Sequence, residues 1–271
     1  MTDIIAANGI GYLKSNNLKA VHGFSTRLGG VSQNEHTRGL NLAFGRGDER
    51  ECVIRNLALF ADAVGFDAKR IVSVSQIHSA DVRIVGEDDA GQGYFSEERF
   101  ACDGYVTDTS GITLGVKTAD CVPILMEGRD ESGKILAVGA VHAGWRGTVG
   151  GIAAECVKKL SAFGARPENI RACIGPAICG ECYSVREDFY NAVRAALGEK
   201  DTERFVTPAS ESGVWNCDLR KMNRELLQRA GLRSENIEVS SECTCCSPEK
   251  YFSHRYTRGK RGTMLSVISM P

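Results

Sequence analysis

The sequence predicts an α+β fold, a layered α/β arrangement in which a mixed sheet or two packed sheets carry helices on the outside. Three observations lead there. A module recurs: Gly65, Gly164 and Gly231 each end a helical stretch, and six residues after each glycine an isoleucine (Ile71, Ile170, Ile237) opens a strand. Residues 101–141 form an apolar region that reads as four strands with no helix between them. Strands and helices therefore do not alternate as a doubly wound parallel sheet requires. No linker, low-complexity tract or composition shift interrupts the chain, so residues 1–271 are expected to form a single domain.

In chain order, Ile10–Leu13 and Ala20–Thr26 read as short strands, followed by a turn around Arg27-Leu28-Gly29-Gly30. Residues 33–50 are polar and glycine-containing, and a loop of that length in a compact domain is usually functional or mobile. Asp48 or a close neighbour is expected to cap a helix reaching Val64, with Val53, Ile54, Leu57, Leu59 and Phe60 near helical spacing. Gly65 ends it, since a glycine just past a helix takes the left-handed conformation without steric penalty. Strands follow at 71–76, 104–107, 112–116, 122–126 and 135–141. Helices are expected at about 149–163, with Thr148 or a neighbour at its N-cap, and at about 218–230. Strands open at Ile170 and Ile237, and 263–268 is a last strand.

Composition excludes several classes. Hydrophobic residues make up 42% and charged residues 25%, ordinary values for a globular chain, and the net charge of −1 offers no attraction to a polyanion such as nucleic acid. No apolar run is long enough to span a bilayer, and the N-terminus lacks a basic segment and apolar core of signal-peptide type. Eleven cysteines, an odd number spread over the chain, favour free thiols and a metal site over a disulfide framework, and point to the cytoplasm.

The residues able to do chemistry collect at strand ends. Only five histidines are present, and two follow strands: Gln76-Ile77-His78-Ser79 and Val141-His142-Ala143-Gly144-Trp145-Arg146-Gly147. Cys121 follows a carboxylate in Lys117-Thr118-Ala119-Asp120-Cys121-Val122. His78, Cys121 and His142 thus form a candidate His2Cys set, the three-ligand arrangement of catalytic zinc, and with a weak axial ligand also of a copper site. Their wide separation in sequence equally fits three unrelated buried residues. Asp103 and Asp120 bracket buried strands and are candidates for orienting ligands or moving protons, against a simple turn at Asp103-Gly104. Arg27, Arg46 and Arg146 lie in glycine-rich segments, where a guanidinium can approach phosphate or carboxylate bidentately, or merely be solvated. Cys243, Cys245 and Cys246 are read as buried thiols beside a substrate pocket rather than a second metal site, for want of a second C-x-x-C half, and Cys173, Cys179 and Cys182 likewise. No phosphate-loop or dinucleotide fingerprint is present.

Several motifs together identify a resemblance: H-G-F-S-T-R-x-G-G-V-S (22–32), Q-I-H-S-A-D-V (76–82), D-G-x-V-T (103–107), T-A-D-C-V-P-I (118–124), V-H-A-G-W-R-G-T (141–148), I-G-P-A-I-C (174–179) and C-T-x-C (243–246) with Y-F-S-H-R (251–255). They resemble, over nearly the whole chain, the YfiH-like family of polyphenol oxidase or laccase-domain proteins. The resemblance implies a mixed β-sandwich flanked by helices (CNF/YfiH-like) and one zinc bound by His78, Cys121 and His142. It implies a purine nucleoside phosphorylase that splits adenosine, inosine, guanosine or 5′-methylthioadenosine with phosphate, with adenosine deaminase activity besides. Asp120, Asp103, Arg146 and Arg46 then become candidate catalytic residues, and Arg27, Asn41, Arg46, Gln76 and Arg146 candidates for binding substrate and phosphate. His254 stands where the family's tyrosine is expected. Purine nucleosides and phosphate are the implied partners, and a monomer and a homodimer both remain open.

The older family reading, copper-dependent phenol oxidation, meets a counting problem. A conventional laccase needs further histidines for a trinuclear copper cluster, and only three remain here outside the His2Cys set. Copper in that one site stays possible, since copper outcompetes zinc in raw affinity. A third chemistry, a cysteine hydrolase with Cys121 as nucleophile and His142 as base, uses the same residues without metal.

Overall fold

Period-two alternation of apolar residues builds two six-stranded sheets that face each other across a shared core. The computed structural model describes residues 1–271. The first sheet runs, in spatial order, Thr2–Ile5, Gly11–Lys14, Val21–Ser25, Met264–Ser269, Thr113–Thr118 and Ile71–Val72. The second runs Ile237–Val239, Ile170–Ile174, Val122–Arg129, Ile135–Ala143, Gly104–Thr107 and Val82–Ile84. Most pairings are antiparallel. The exceptions lie at sheet edges: Ile71–Val72 beside Thr113–Thr118, Ile237–Val239 beside Ile170–Ile174, and Val82–Ile84 beside Gly104–Thr107.

Alternation decides which face each residue serves. Phe24, Leu114, Val116 and Ile268 of the first sheet meet Tyr105, Leu125, Val138 and Ala140 of the second in one cluster. The reverse face of the first sheet, with Leu265, Val267 and Ile71, packs on Val53, Leu57 and Phe60 of helix Arg50–Val64. The reverse face of the second, with Ile124, Met126, Val141 and Ile174, packs on helices Ile152–Ala162 and Leu219–Arg229. Burying each such side chain is worth about 1.5–3 kcal/mol. The result is the mixed β-sandwich between helical layers that the sequence implied.

All three recurring modules have the predicted form. Gly65, Gly164 and Gly231 lie at φ +94°, +93° and +99°. Each six-residue connection contains one 3₁₀ turn (Ala68–Arg70, Pro167–Asn169, Ser234–Asn236) before its strand. The first helix agrees, running Arg50–Val64 with Glu49 as N-cap, while the neighbouring Asp48 carboxylate accepts from Ser32 Oγ at 2.6 Å and Asn41 Nδ2 at 2.8 Å, tying down the 33–50 loop. Other boundaries differ from expectation. The helix expected at 149–163 starts at Trp145 with Gly144 as N-cap, breaks at Gly150-Gly151, and resumes over Ile152–Ala162. Two adjacent glycines are poor helix formers, and Gly151 sits at φ +81°. Thr148 is therefore inside the short helix, where its hydroxyl accepts from Asn223 Nδ2 at 2.9 Å. The strand expected at 71–76 ends at Val72, because the tyrosine hydroxyl of Tyr105 takes the Val74 amide at 2.9 Å. Residues 184–217, in which no element was read, hold helices Glu187–Leu197 and Glu199–Phe205 and a small sheet of Ser184–Val185, Trp215–Cys217 and Val206–Pro208. No helix is long and apolar enough to cross a membrane.

Candidate metal centre

The three proposed ligands come from three different segments at one rim of the sandwich. His78 lies between edge strand Ile71–Val72 of the first sheet and Val82–Ile84 of the second. Cys121 sits in the short crossing from Thr113–Thr118 to Val122–Arg129, again from one sheet to the other. His142 is on strand Ile135–Ala143, opposite Pro123. Their donor atoms lie within 4.8 Å of one another. The two imidazoles stand edge to face, ring centres 4.9 Å apart and planes at 86°.

One buried carboxylate organises the group. Asp103, at 0% exposure, accepts from the amides of Ile77 (3.2 Å), His78 (3.0 Å) and Ser79 (2.7 Å), and from Ser79 Oγ at 2.8 Å. It also lies 2.8 Å from His142 Nδ1. That contact makes Nδ1 the protonated nitrogen and leaves Nε2 as the donor towards an ion. Burial would raise the Asp103 carboxyl, but the His142 and Ser79 contacts prevail and hold it at about 2. Burial likewise opposes ionisation of Cys121, yet His142 and His78 bring its thiol down to about 6. His142, which burial would lower, is raised to about 9 by Cys121 and Asp103. A thiolate and two oriented imidazoles within reach of one ion fit a catalytic zinc or copper position with an open site.

The backbone is strained where it delivers these ligands. Only three non-glycine residues have positive φ, and two are His78 (59°) and Asp120 (99°), the residue before Cys121. Such conformations persist only where surrounding contacts over-determine them. Asp120 is held by Thr244 Oγ1 and the Arg255 amide, which donate to its carboxylate at 2.7 and 2.6 Å, and by the Ile178 amide on its carbonyl at 3.0 Å. Gly144 closes the back of the cluster. A Cβ there would lie 3.0 Å from His78 Cδ2 and 3.5 Å from both Cys121 Sγ and His142 Cε1. Gly144→Val is expected to weaken metal binding at least ~10-fold, as disturbing ligand orientation does. Metal retained after dialysis against a graded chelator checks this, and retention equal to the parent's would show that the packing is not limiting.

A cavity of about 310 Å³ opens beside the ligands. His78, Cys121 and His142 line it together with three cations, Arg46, Lys117 and Arg261. Burial, tempered by Glu98 and reinforced by Arg46, lowers Lys117 to about 8. Burial and Arg46 lower Arg261 to about 10 against the pull of Asp120 and Cys121. The Arg261 Nε is buried with no hydrogen-bond partner in the protein. Glu98, Phe44 and Gln76 are also part of the walls. Gln76 has both ends of its amide engaged by the Lys117 backbone, at 2.8 and 2.7 Å, so it shapes the wall.

The cavity does not include every residue singled out from the sequence. Asp103 and Asp120 lie behind the ligands and serve as acceptors there. Arg27 stacks over Phe252 at 4.6 Å and donates to the Pro248 carbonyl at 2.8 Å. Asn41 is fully buried and spends its amide on Asp48, on Ala43 and on the Thr263 amide. Arg146 is exposed and stacks on Trp145 at 4.2 Å, outside the lining. Lys117, Arg261, Glu98 and Phe44 were missed. Lys117 had a signal, a lone charge in a largely buried strand, whereas Arg261 stands in Arg258-Gly259-Lys260-Arg261, where nothing local distinguishes it from its basic neighbours.

Cys179 and Cys182 converge with Cys243 and Cys246, all four sulfurs within 4.8 Å of one another. Cys179-Gly180-Glu181-Cys182 is the second C-x-x-C half that the reading of Cys243–Cys246 lacked.

A β-sandwich that gathers His2Cys at its rim beside a lined cavity defines a metal-dependent enzyme of the laccase-domain kind. The chain belongs to the family described as multi-copper polyphenol oxidoreductase laccase, whose model matches residues 21–271. It is 39% identical to a purine nucleoside phosphorylase of Deinococcus radiodurans over 98% of this chain and 96% of that one. It is 35% identical to adenosine deaminase RL5, from an unknown prokaryote, over 88% of this chain and 89% of that one. Among solved structures, the YfiH protein of Bacillus licheniformis superposes with a TM-score of 0.89 at 33% identity, covering 99% of both chains.

Proposed function

We propose that this chain is a zinc-dependent purine nucleoside phosphorylase acting on adenosine, inosine, guanosine or 5′-methylthioadenosine, with adenosine deaminase activity in the same cavity. The observation that carries the reading is the grouping of Arg46, Lys117 and Arg261 on the walls that also hold His78, Cys121 and His142. The names of the D. radiodurans and RL5 relatives support it. Eleven free cysteines support a reducing compartment, the cytoplasm.

In phosphorolysis a phosphate oxygen bonds to C1′, the C1′–N9 bond breaks, and the purine departs with the electron pair and needs a proton. Arg46 and Arg261 are assigned to the phosphate, with the unpartnered Arg261 Nε as one donor. Lys117, lowered to about 8, holds a proton that it can release near neutral pH and is assigned as the acid. Phe44, braced by Arg50 at 4.5 Å and Tyr94 at 5.4 Å, offers apolar wall to a base. Deamination replaces the 6-amino group by oxygen from water and releases ammonia, and Glu98 is assigned to its proton transfers. Zinc held by His78, Cys121 and His142 supplies Lewis acidity. Asp103 keeps both histidines aimed.

The test is incubation of metal-analysed protein with adenosine, with and without phosphate, and chromatography of the products. Adenine that forms only with phosphate supports phosphorolysis, and inosine supports deamination. Absence of adenine, inosine and hypoxanthine at every metal loading rejects the reading. Arg46→Met and Arg261→Met are each expected to raise the KM for phosphate roughly 10-fold or more, the equivalent of one lost charged hydrogen bond. Lys117 is protonated below about pH 8, so kcat/KM should fall above that pH, and Lys117→Met should lack that limb. A phosphate KM unchanged in both arginine variants would remove them from the binding role.

Copper-dependent phenol oxidation by a multi-copper centre gains no support from the remaining histidines. His22 is spent between the Ser15 amide (2.9 Å) and the Ala20 carbonyl (2.7 Å), and His36 and His254 are exposed single histidines that do not converge with it. A cysteine hydrolase has one observation in its favour, the Cys121–His142–Asp103 series with a lowered thiol. Alkylation separates it: a nucleophilic Cys121 reacts fastest in protein as purified, whereas a ligand thiolate reacts only after chelation.

A further inference from the structure

The sulfurs of Cys179, Cys182, Cys243 and Cys246 come from two C-x-x-C turns on loops that approach each other below the end of strand Ile170–Ile174. Each turn is closed by its own backbone: the Cys182 and Tyr183 amides donate to the Cys179 carbonyl at 3.2 and 3.0 Å, and the Ser247 amide to the Cys243 carbonyl at 3.2 Å. The two turns are joined by a bridge between Ala177 and Cys243 and by the Thr244 amide donating to the Ala177 carbonyl at 3.2 Å. The Cys179 amide donates to Cys243 Sγ at 3.2 Å, a contact that favours a thiolate there.

We propose that these four cysteines form a second metal site, a structural tetrathiolate zinc distinct from the His2Cys centre. Four sulfurs about 2.3 Å from one zinc stand roughly 3.8 Å apart in a tetrahedron. Here Cys182 and Cys246 are 3.4 Å apart, Cys179 and Cys246 4.0 Å apart, and no pair exceeds 4.8 Å. A disulfide needs about 2.05 Å, and no contact approaches it. An iron–sulfur cluster distributes its four cysteines over two or more irons and holds some sulfur pairs further apart than this group allows. Cys179 and Cys243 are 8% exposed while Cys246 faces solvent, so the ligands are rigid on one side and an ion can enter from the other. The Arg255 guanidinium, donating to the Cys182 carbonyl at 2.9 Å, places positive charge beside the thiolates.

The site reaches the first centre through Asp120. Thr244, inside one C-x-x-C turn, donates its hydroxyl to the Asp120 carboxylate, and the Ile178 amide, one residue before Cys179, donates to the Asp120 carbonyl. The second ion thus clamps two of the three contacts that hold Asp120 at positive φ, and with them the direction of Cys121.

The experiment is zinc analysis and X-ray absorption on the full chain. The parent should bind two zinc ions per chain, with an average near two and a half sulfur ligands per zinc. His78→Ala/Cys121→Ala should retain one zinc with four sulfurs, and Cys182→Ser/Cys246→Ser should retain one with a single sulfur. If a variant does not fold, the sulfur average of the parent decides alone, because the His2Cys site by itself yields one sulfur per zinc. An average of one sulfur per zinc in the parent, nitrogen ligands in the His78→Ala/Cys121→Ala variant, a visible iron–thiolate absorption band, or an intact mass showing a Cys182–Cys246 disulfide would each overturn the proposal. Failure of the nucleoside assay leaves these readouts unaffected.

Discussion

Cys121→Ala is expected to abolish turnover and to weaken binding of the ion at His78 and His142 by more than ~100-fold, since even partners outside the ligand set change affinity 10–100-fold. The expectation rests on geometry: Cys121 is the one soft anionic donor of the three, lowered to about 6 by the imidazoles beside it. Its removal leaves two neutral ligands on separate segments, with nothing to neutralise the ion. Chelator competition measures the affinity, and the adenosine assay measures turnover. Full activity in a variant shown to lack zinc at this centre would refute the metal role and revive chemistry that needs no ion.

Asp103→Ala should cause the largest loss of stability of any single change at the site. The carboxylate is buried among three amides, a hydroxyl and His142, and removing it leaves these donors without an acceptor. Breaking a buried ionic group by deleting one partner lowers stability by about 3–5 kcal/mol. Denaturant unfolding in excess chelator isolates that effect from metal loss, and a midpoint equal to the parent's would show that Asp103 does not hold the 77–79 segment. The sign with pH follows from the low pKa. The Asp103 contribution is present above the ordinary carboxylate range near 4, and disappears only as pH falls through about 2. Acid sensitivity of the parent between pH 4 and 6 must therefore originate elsewhere.

Much of this was legible in the sequence because it follows local rules. Glycines past helix ends fixed the three modules, and unbroken apolar runs such as Val122–Met126 marked strands buried on both faces. The motifs around His78, Cys121 and His142 were legible as a resemblance, and the structure places their donor atoms together. What could not be read depends on contacts between distant residues. Arg261 reaches the cavity only because strand Met264–Ser269 lies between Val21–Ser25 and Thr113–Thr118. Asp103 resembles any aspartate before a glycine until the 77–79 amides fold over it. Arg146 was misplaced because the helix starts four residues early and turns it outward onto Trp145. The pairing of Cys179-x-x-Cys182 with Cys243-x-x-Cys246 needed two loops that only the bridge at Ala177 and Cys243 brings into contact.

The placement of strand Met264–Ser269 also governs when the cavity wall is complete. It is an inner strand, and its Leu265 amide donates to the Ser25 hydroxyl across 240 positions of chain. Pairings of such sequence separation must close a very long loop before they gain anything, which makes folding slow and late intermediates common. Arg261 and Thr263, immediately before that strand, line the cavity. Until that strand docks, Arg261 is missing from a cavity already lined by Arg46 and Lys117, so its third cation is set only by the longest-range pairing in the chain.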